Sequence, residues 1–379
     1  MSQINLNRRT LIAVGGAAAA VAATPALAKS KKRPFVINAL GGFYNPNSNG
    51  AHDEEDIAAH RLDPRPIADT RAAGVAATNA TIGYVFGDGD PFPDTIDEIA
   101  WWSEAIRLRP DALSLIRTAD DIRAAHEAGK AGIIIGFQNT EMFGKDVSRV
   151  RLFSDLGVRI VQMTYNLRNA AGDGALVAEN KGLTDFGREL VAALNKQRLL
   201  VDLSHSGEKT AMDALAASTV PIAITHTGCA ALAPHPRNKT DAELKALADK
   251  GGVAGIYFMP YLTPGRQQMA ADIVAHIEHA VNVMGEDHVG IGTDGGATAI
   301  DDMPVFMEAF RKSNEDRRKA GIAAPNEDDN IITTPPDLMG PEQFEKLAGL
   351  LSARGYKQAR IEKIMSGNFL RLFGEVWGG

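Results

Sequence analysis

The chain has 379 residues, 45% hydrophobic and 23% charged, which is ordinary globular composition and leaves room for one large α/β domain or two smaller ones. A formal net charge of −7 argues against nucleic acid or an anionic membrane surface as partner. The lone cysteine, Cys229, excludes an internal disulfide and a Cys-rich zinc site.

Residues 1–28 read as an export signal. Arg8-Arg9 precede a weakly apolar, Ala- and Gly-rich stretch, and Ala26-Leu27-Ala28 has the small-x-small form of a cleavage site. The paired arginines and low hydrophobicity suggest the twin-arginine route rather than the Sec route. This predicts a periplasmic or secreted mature protein. No later stretch is long enough to span a bilayer, and residues 374–379 carry no anchor tail, so no membrane anchor is expected.

From Pro34 onward, apolar runs alternate with amphipathic stretches. Runs at 35–40, 75–85, 132–137, 159–163, 199–203, 221–225, 253–257 and 288–292 predict buried parallel strands. Helical periodicity fills 95–108, 119–128, 147–156, 185–196, 208–217, 241–249 and 271–284, and residues 340–351 and 356–373 read as closing helices. Thr184 and Thr240 stand where helix N-caps belong. Eight strands with intervening helices predict an α/β fold of the (β/α)8 barrel type, with residues 29–379 as a single domain. A doubly wound open sheet is the alternative, but it lacks the Gly-rich phosphate loop after its first strand. Residues 314–336 are charged and Pro-containing and are expected to form a surface excursion.

In either fold the carboxyl ends of the strands hold the chemistry. Two runs end in histidine, Val201-Asp202-Leu203-Ser204-His205 and Ile222-Ala223-Ile224-Thr225-His226. Right-handed crossover puts both imidazoles at one end of neighbouring strands, where they supply half of a tetrahedral metal shell. Asp294 comes just after the last strand and can shuttle a proton or orient a water. Arg237, in the polar loop after His226, is suited to clamp a carboxylate through two parallel hydrogen bonds. Gln138 and Tyr165 stand at two further strand ends.

The motifs Gly182-Leu183-Thr184-Asp185-Phe186-Gly187, Val201-Asp202-Leu203-Ser204-His205-Ser206, Pro236-Arg237-Asn238-Lys239-Thr240-Asp241, Val289-Gly290-Ile291-Gly292-Thr293-Asp294 and Gly367-Asn368-Phe369-Leu370-Arg371 occur in this order. With them the chain resembles the membrane dipeptidase (renal dipeptidase) family of metallopeptidases from about Pro34 to Trp377. The resemblance implies a barrel with a two-zinc site that hydrolyses dipeptides, in which a water between the metals attacks the peptide carbonyl. It implies His205 and His226 as ligands of the second metal, Arg237 as holder of the substrate's terminal carboxylate and Asp294 as proton handler. Relatives are commonly dimers, so a homodimer is among the assemblies it allows.

This chain departs from that pattern at three places. Leu40 and Gly42 stand where the family's His-x-Asp pair binds the first metal, Gln138 replaces the bridging glutamate, and Tyr165 replaces a substrate-contacting histidine. A leucine coordinates nothing, and a neutral amide is a poor bridge between two dications. At most one zinc ion per chain is therefore expected, on His205 and His226, with none as the alternative. His52, Asp53, Glu141 and Asp173 are the residues that could replace the lost ligands.

Three functions are compatible with this pattern. The first is an exported hydrolase cleaving a dipeptide or related small amide with a free carboxylate through a reduced metal site. The second is a family member with altered, metal-poor or metal-free chemistry in maturation of a peptide-derived metabolite. The third is a non-catalytic binding protein that holds a carboxylate through Arg237.

Overall fold

A computed structural model describes residues 34–48, 58–325 and 327–378. The expected export signal and the candidates His52 and Asp53 lie outside the described residues.

The strands are β1 (Val36–Gly41), β2 (Val75–Thr81), β3 (Leu113–Leu115), β4 (Ala131–Phe137), β5 (Val158–Gln162), β6 (Leu200–Asp202), β7 (Ala223–Thr227), β8 (Val253–Ile256) and β9 (Val289–Ile291). Between and after them come α1 (Pro64–Ala72), α2 (Pro91–Leu108), α3 (Ala119–Glu127), α4 (Arg149–Leu156), α5 (Asp185–Lys196), α6 (Glu208–Ala217), α7 (Asp241–Asp249), α8 (Ala270–Met284), α9 (Met303–Lys319), α10 (Gln343–Ala353), α11 (Gln358–Glu362) and α12 (Asn368–Trp377). All strand pairings are parallel, in the order β1-β2-β4-β5-β6-β7-β8-β9, and β3 pairs with β4 outside that path.

The first and last strands meet at the seam. Asp294 N donates to Leu40 O at 3.0 Å, Gly42 N to Gly295 O at 3.3 Å, and Asn38 exchanges side-chain bonds with Thr293. The result is the expected (β/α)8 barrel, nearly closed. Its strands are buried along most of their length because the barrel interior covers one face and the helices the other. Inside, the packing leaves no room at Gly292, where a Cβ would stand 1.9 Å from Thr225 O. The helix starts are chemical as well as periodic. Thr240 and Glu243 form a reciprocal capping box at α7, and the Thr184 hydroxyl accepts from Gly187 N at α5.

Four differences from the sequence expectations have local causes. β2 stops at Thr81 rather than running to residue 85, because Gly83 takes a left-handed φ of 90° and turns the chain. β3 has three residues, too few for periodicity to register. α1 has no strong apolar face, and its N-terminus rests on Asp63, whose side chain accepts from Arg65 N. The region after Asp294 differs most. The expected excursion at 314–336 begins inside α9, whose single buried residue is Asn314, so α9 lacks the core-facing stripe that marks a packed helix. The chain then folds over the carboxyl ends of the strands and lines the cavity there.

Candidate active site

Asp202 closes β6 and organises the turn beyond it. Its carboxylate accepts from Ser204 N (3.0 Å), Ser204 Oγ (2.5 Å), Thr225 N (2.9 Å) and Thr225 Oγ1 (2.6 Å). Burial pushes its pKa up, and these four donors work against that. The network ties the end of β6 to β7 and sets the positions of His205 and His226, both buried at the carboxyl ends of neighbouring strands.

The Nε2 atoms of the two imidazoles stand 2.9 Å apart. Their partners decide the tautomers. Asn166 donates through Nδ2 to Ile322 O, so its Oδ1, 2.6 Å from His205 Nδ1, accepts the proton there. The Thr225 hydroxyl donates to Asp202, so its oxygen, 2.9 Å from His226 Nδ1, accepts as well. Both Nδ1 atoms therefore carry hydrogen, and two bare Nε2 lone pairs converge. Burial holds both imidazoles well below their ordinary pKa, and Arg237 adds to this for each.

Arg237 lies in the loop after β7 and is buried. Its Nη1 donates to Ser204 O, while its Nη2, also buried, has no hydrogen-bond partner. A buried guanidinium nitrogen left unpaired is costly unless a ligand completes it. Lys239, equally buried, is engaged by Ser206 O at 2.5 Å and by Glu243 at 3.3 Å. Asp294 adopts φ +57°, and burial raises its pKa against the opposing pull of Arg237 and Arg317.

Gln138, Tyr165, His205, Arg237 and Asp294 line one cavity of about 1030 Å³, and His226 meets it through His205 and through Gln138 Nε2 at 3.4 Å. All six residues singled out from the sequence thus converge. Tyr165 lies flat on His205, ring centroids 4.3 Å apart and planes 22° from parallel. Its hydroxyl receives a bond from Arg317 Nη1 at 3.2 Å, and Arg317 is held on its other edge by Glu327 at 2.8 and 3.0 Å. Glu327 in turn accepts from Tyr261 Oη at 2.7 Å.

Three further residues of the site, Arg317, Glu327 and Asn166, are not singled out by the sequence. Arg317 stands in the basic run Arg317-Arg318-Lys319, where nothing marks it off from its neighbours. Asn166 directly succeeds Tyr165 at a strand end, which is the one available signal.

The donor set does not suit a pair of metal ions. Among the described residues no group of three or more His, Cys, Asp or Glu is placed to hold an ion. Leu40 is packed in the core, Glu141 bonds Tyr84, and Asp173 is engaged by Arg168 and Lys181 N. Neither described acid replaces a lost ligand, and a two-metal centre does not fit. A single ion fits better, because both imidazoles present Nε2 and anchor Nδ1–H on a neighbour, as metal-bound histidines do.

Comparison with known proteins agrees with the fold. The profile of the membrane dipeptidase family (peptidase family M19) matches residues 3–312. A dipeptidase, tcpJ, from Claviceps purpurea is 29% identical over 287 residues, covering 75% of this chain but 60% of that protein. An uncharacterized protein in the pqqA 5′ region of Klebsiella pneumoniae is 28% identical over 300 residues, 76% of this chain and 98% of that protein. Among solved structures, an amidohydrolase from Pseudomonas aeruginosa superposes with TM-score 0.76 at 32% identity, over 91% of this chain and 97% of that one. A metallo peptidase from Rhodobacter sphaeroides, liganded with a phosphinate mimic of the dipeptide L-Ala-D-Ala, shares the fold (TM-score 0.70, 21% identity, 91% of this chain and 100% of that one).

Proposed function

The chain belongs to the membrane dipeptidase family, a family of hydrolases, and on that premise we propose that it cleaves a dipeptide or related small amide whose leaving side carries a free carboxylate. The observation that carries this reading is the unpartnered Arg237 Nη2, buried and lining the same cavity as His205 and Asp294.

In this reading the substrate carboxylate completes Arg237 with a charge-assisted bond while Nη1 stays on Ser204 O. Arg237 so fixes one end of the substrate and orients the amide towards His205. Asp294, lining the same cavity, takes a proton from the water that attacks the amide carbonyl and delivers it to the amine nitrogen as the C–N bond breaks. Tyr165, fixed by Arg317, shields one face of His205 from water. One zinc-like ion on Nε2 of His205 and His226 would supply Lewis acidity and a more acidic water at that point.

A second reading draws on the local charge. Arg237 and Lys239 lie close enough to lower both imidazole pKa values and Arg317 that of His205, an environment that opposes a dication and suits metal-free chemistry on a peptide-derived metabolite. Assays of a dipeptide panel on protein of known metal content separate the two. Cleavage that needs about one ion per chain supports the first, cleavage that survives chelation selects the second, and no cleavage with metal added refutes hydrolysis.

Export rests on Arg8-Arg9 and Ala26-Leu27-Ala28. Among the described residues no helix is long and apolar enough to cross a membrane. Fusion of residues 1–28 to a reporter, with and without Arg8 and Arg9 replaced by Lys, tests the route. The family resemblance allows a homodimer, which light scattering tests.

A further inference from the structure

The cavity over the strand ends is two-sided. Its floor is polar, with Gln138, His205, Arg237 and Asp294. Its roof is not. Val305, Phe306, Ala309 and Phe310 occupy one face of α9 and line the cavity, and Phe306 and Phe310 stack on each other at 5.7 Å. Residues spaced i, i+1, i+4 and i+5 share a helix face, so this stripe faces cavity space instead of protein core. Asn314 is the only buried residue of the helix, and Val305 is 49% exposed. Across the cavity Phe86, 43% exposed, stacks on Tyr165 at 6.0 Å, and Tyr165 stacks on His205. Phe86, Tyr165 and His205 thus form an aromatic stack on a wall of the cavity that the α9 stripe also lines.

An apolar patch on a concave wall marks a ligand site. The cavity volume of about 1030 Å³ lies at the top of the roughly 300–1,000 Å³ range that holds drug-sized molecules, far more room than two small residues need. We propose that the stripe on α9 and Phe86 form a subsite for a bulky apolar group, so that the substrate is an amphiphile: an amino acid whose carboxylate reaches Arg237 and whose amide nitrogen carries a long acyl or aromatic group under α9. The inference rests on the proposed reading only for the carboxylate end; the roof is argued from geometry alone.

Titration calorimetry on the full mature protein tests it, with N-acetyl- to N-octanoyl-alanine and the matching alaninamides as probes. Affinity should rise about three- to fourfold per added methylene until the roof is covered. The F306A/F310A double variant should flatten that slope, and its circular dichroism melt checks that it folds. The wild-type slope needs no variant. A flat series, or no binding at any length, overturns the subsite. A slope that persists in F306A/F310A overturns the assignment to α9. A double variant that dissociates a dimer while leaving the slope intact identifies the stripe as a subunit contact and likewise overturns it. If the slope holds but the alaninamides bind as well as the acids and no amide is cleaved, the subsite stands and the proposed hydrolase reading falls.

Discussion

His205 and His226 face each other through unprotonated nitrogens 2.9 Å apart, each with its ring N–H already donated to a neighbour. Two lone pairs at that separation repel unless a cation lies between them. Burial and Arg237 disfavour the charged imidazolium form of either ring, since both pKa values are driven down. The purified protein should therefore take up one zinc-like ion per chain and lose it on His205→Ala or His226→Ala. Thr225→Val removes the acceptor for His226 Nδ1–H, and metal affinity should fall roughly 10- to 100-fold. Metal titration with elemental analysis reads both, and a protein that binds no ion under any condition rejects the ion.

Arg237→Met removes the unpartnered Nη2 together with its charge. The lost charge-assisted contact is worth about 1.5–3 kcal/mol, so KM should rise roughly 10- to 100-fold with kcat little changed. Lys at this position cannot hold Ser204 O and a carboxylate with one planar fork, so Arg237→Lys should not rescue. Equal losses in kcat and kcat/KM would place Arg237 in the chemical step instead.

Asp294 yields a pH prediction. Burial raises its pKa in the folded protein above the ordinary value of 3.8, with Arg237 and Arg317 opposing. A raised acid favours the fold below its unfolded pKa, and that favour disappears as pH climbs through the folded pKa. Asp294→Asn should thus melt higher than the parent at neutral pH, with the gain shrinking in acid, while activity is lost. Asparagine tolerates the φ of +57° that alanine would strain, so the comparison isolates charge. Melting curves across pH check the sign.

Restoring the missing ligands tests how far the pocket has diverged. Gln138→Glu places a carboxylate next to His226, and the Cβ of Gly42→Asp meets the Tyr44 ring at 3.3 Å. Leu40→His must enter the core and should cost about 2 kcal/mol of stability. The triple variant should bind a second ion per chain and cleave dipeptides faster. A second ion without added activity would show that the substrate end has been rebuilt too.

Much of the barrel is legible along the chain. The strands ending near His205 and His226 are readable because each is a short aliphatic run with a polar stop, and α5, α6 and α7 begin and end where periodicity and caps place them. α9 is not, because its apolar positions fill only the first turns and the rest of the helix, from Arg311 to Lys319, is polar and charged. Its stripe at Val305, Phe306, Ala309 and Phe310 faces a space that exists only once the barrel has closed.

The residue types of the candidate site, and the strand ends that present them, are local properties, and the order of residues is enough to read them. Which nitrogen of each imidazole is bare is not local: it depends on Asn166 being held by Ile322 and on Thr225 being turned towards Asp202. The same holds for the free edge of Arg237, the placing of Tyr165 by Arg317, and the facing of the α9 stripe into the cavity. Each arises from groups far apart along the chain, whose hydrogen bonds and burial come into being only when the last strand meets the first and the segment after it folds across the mouth.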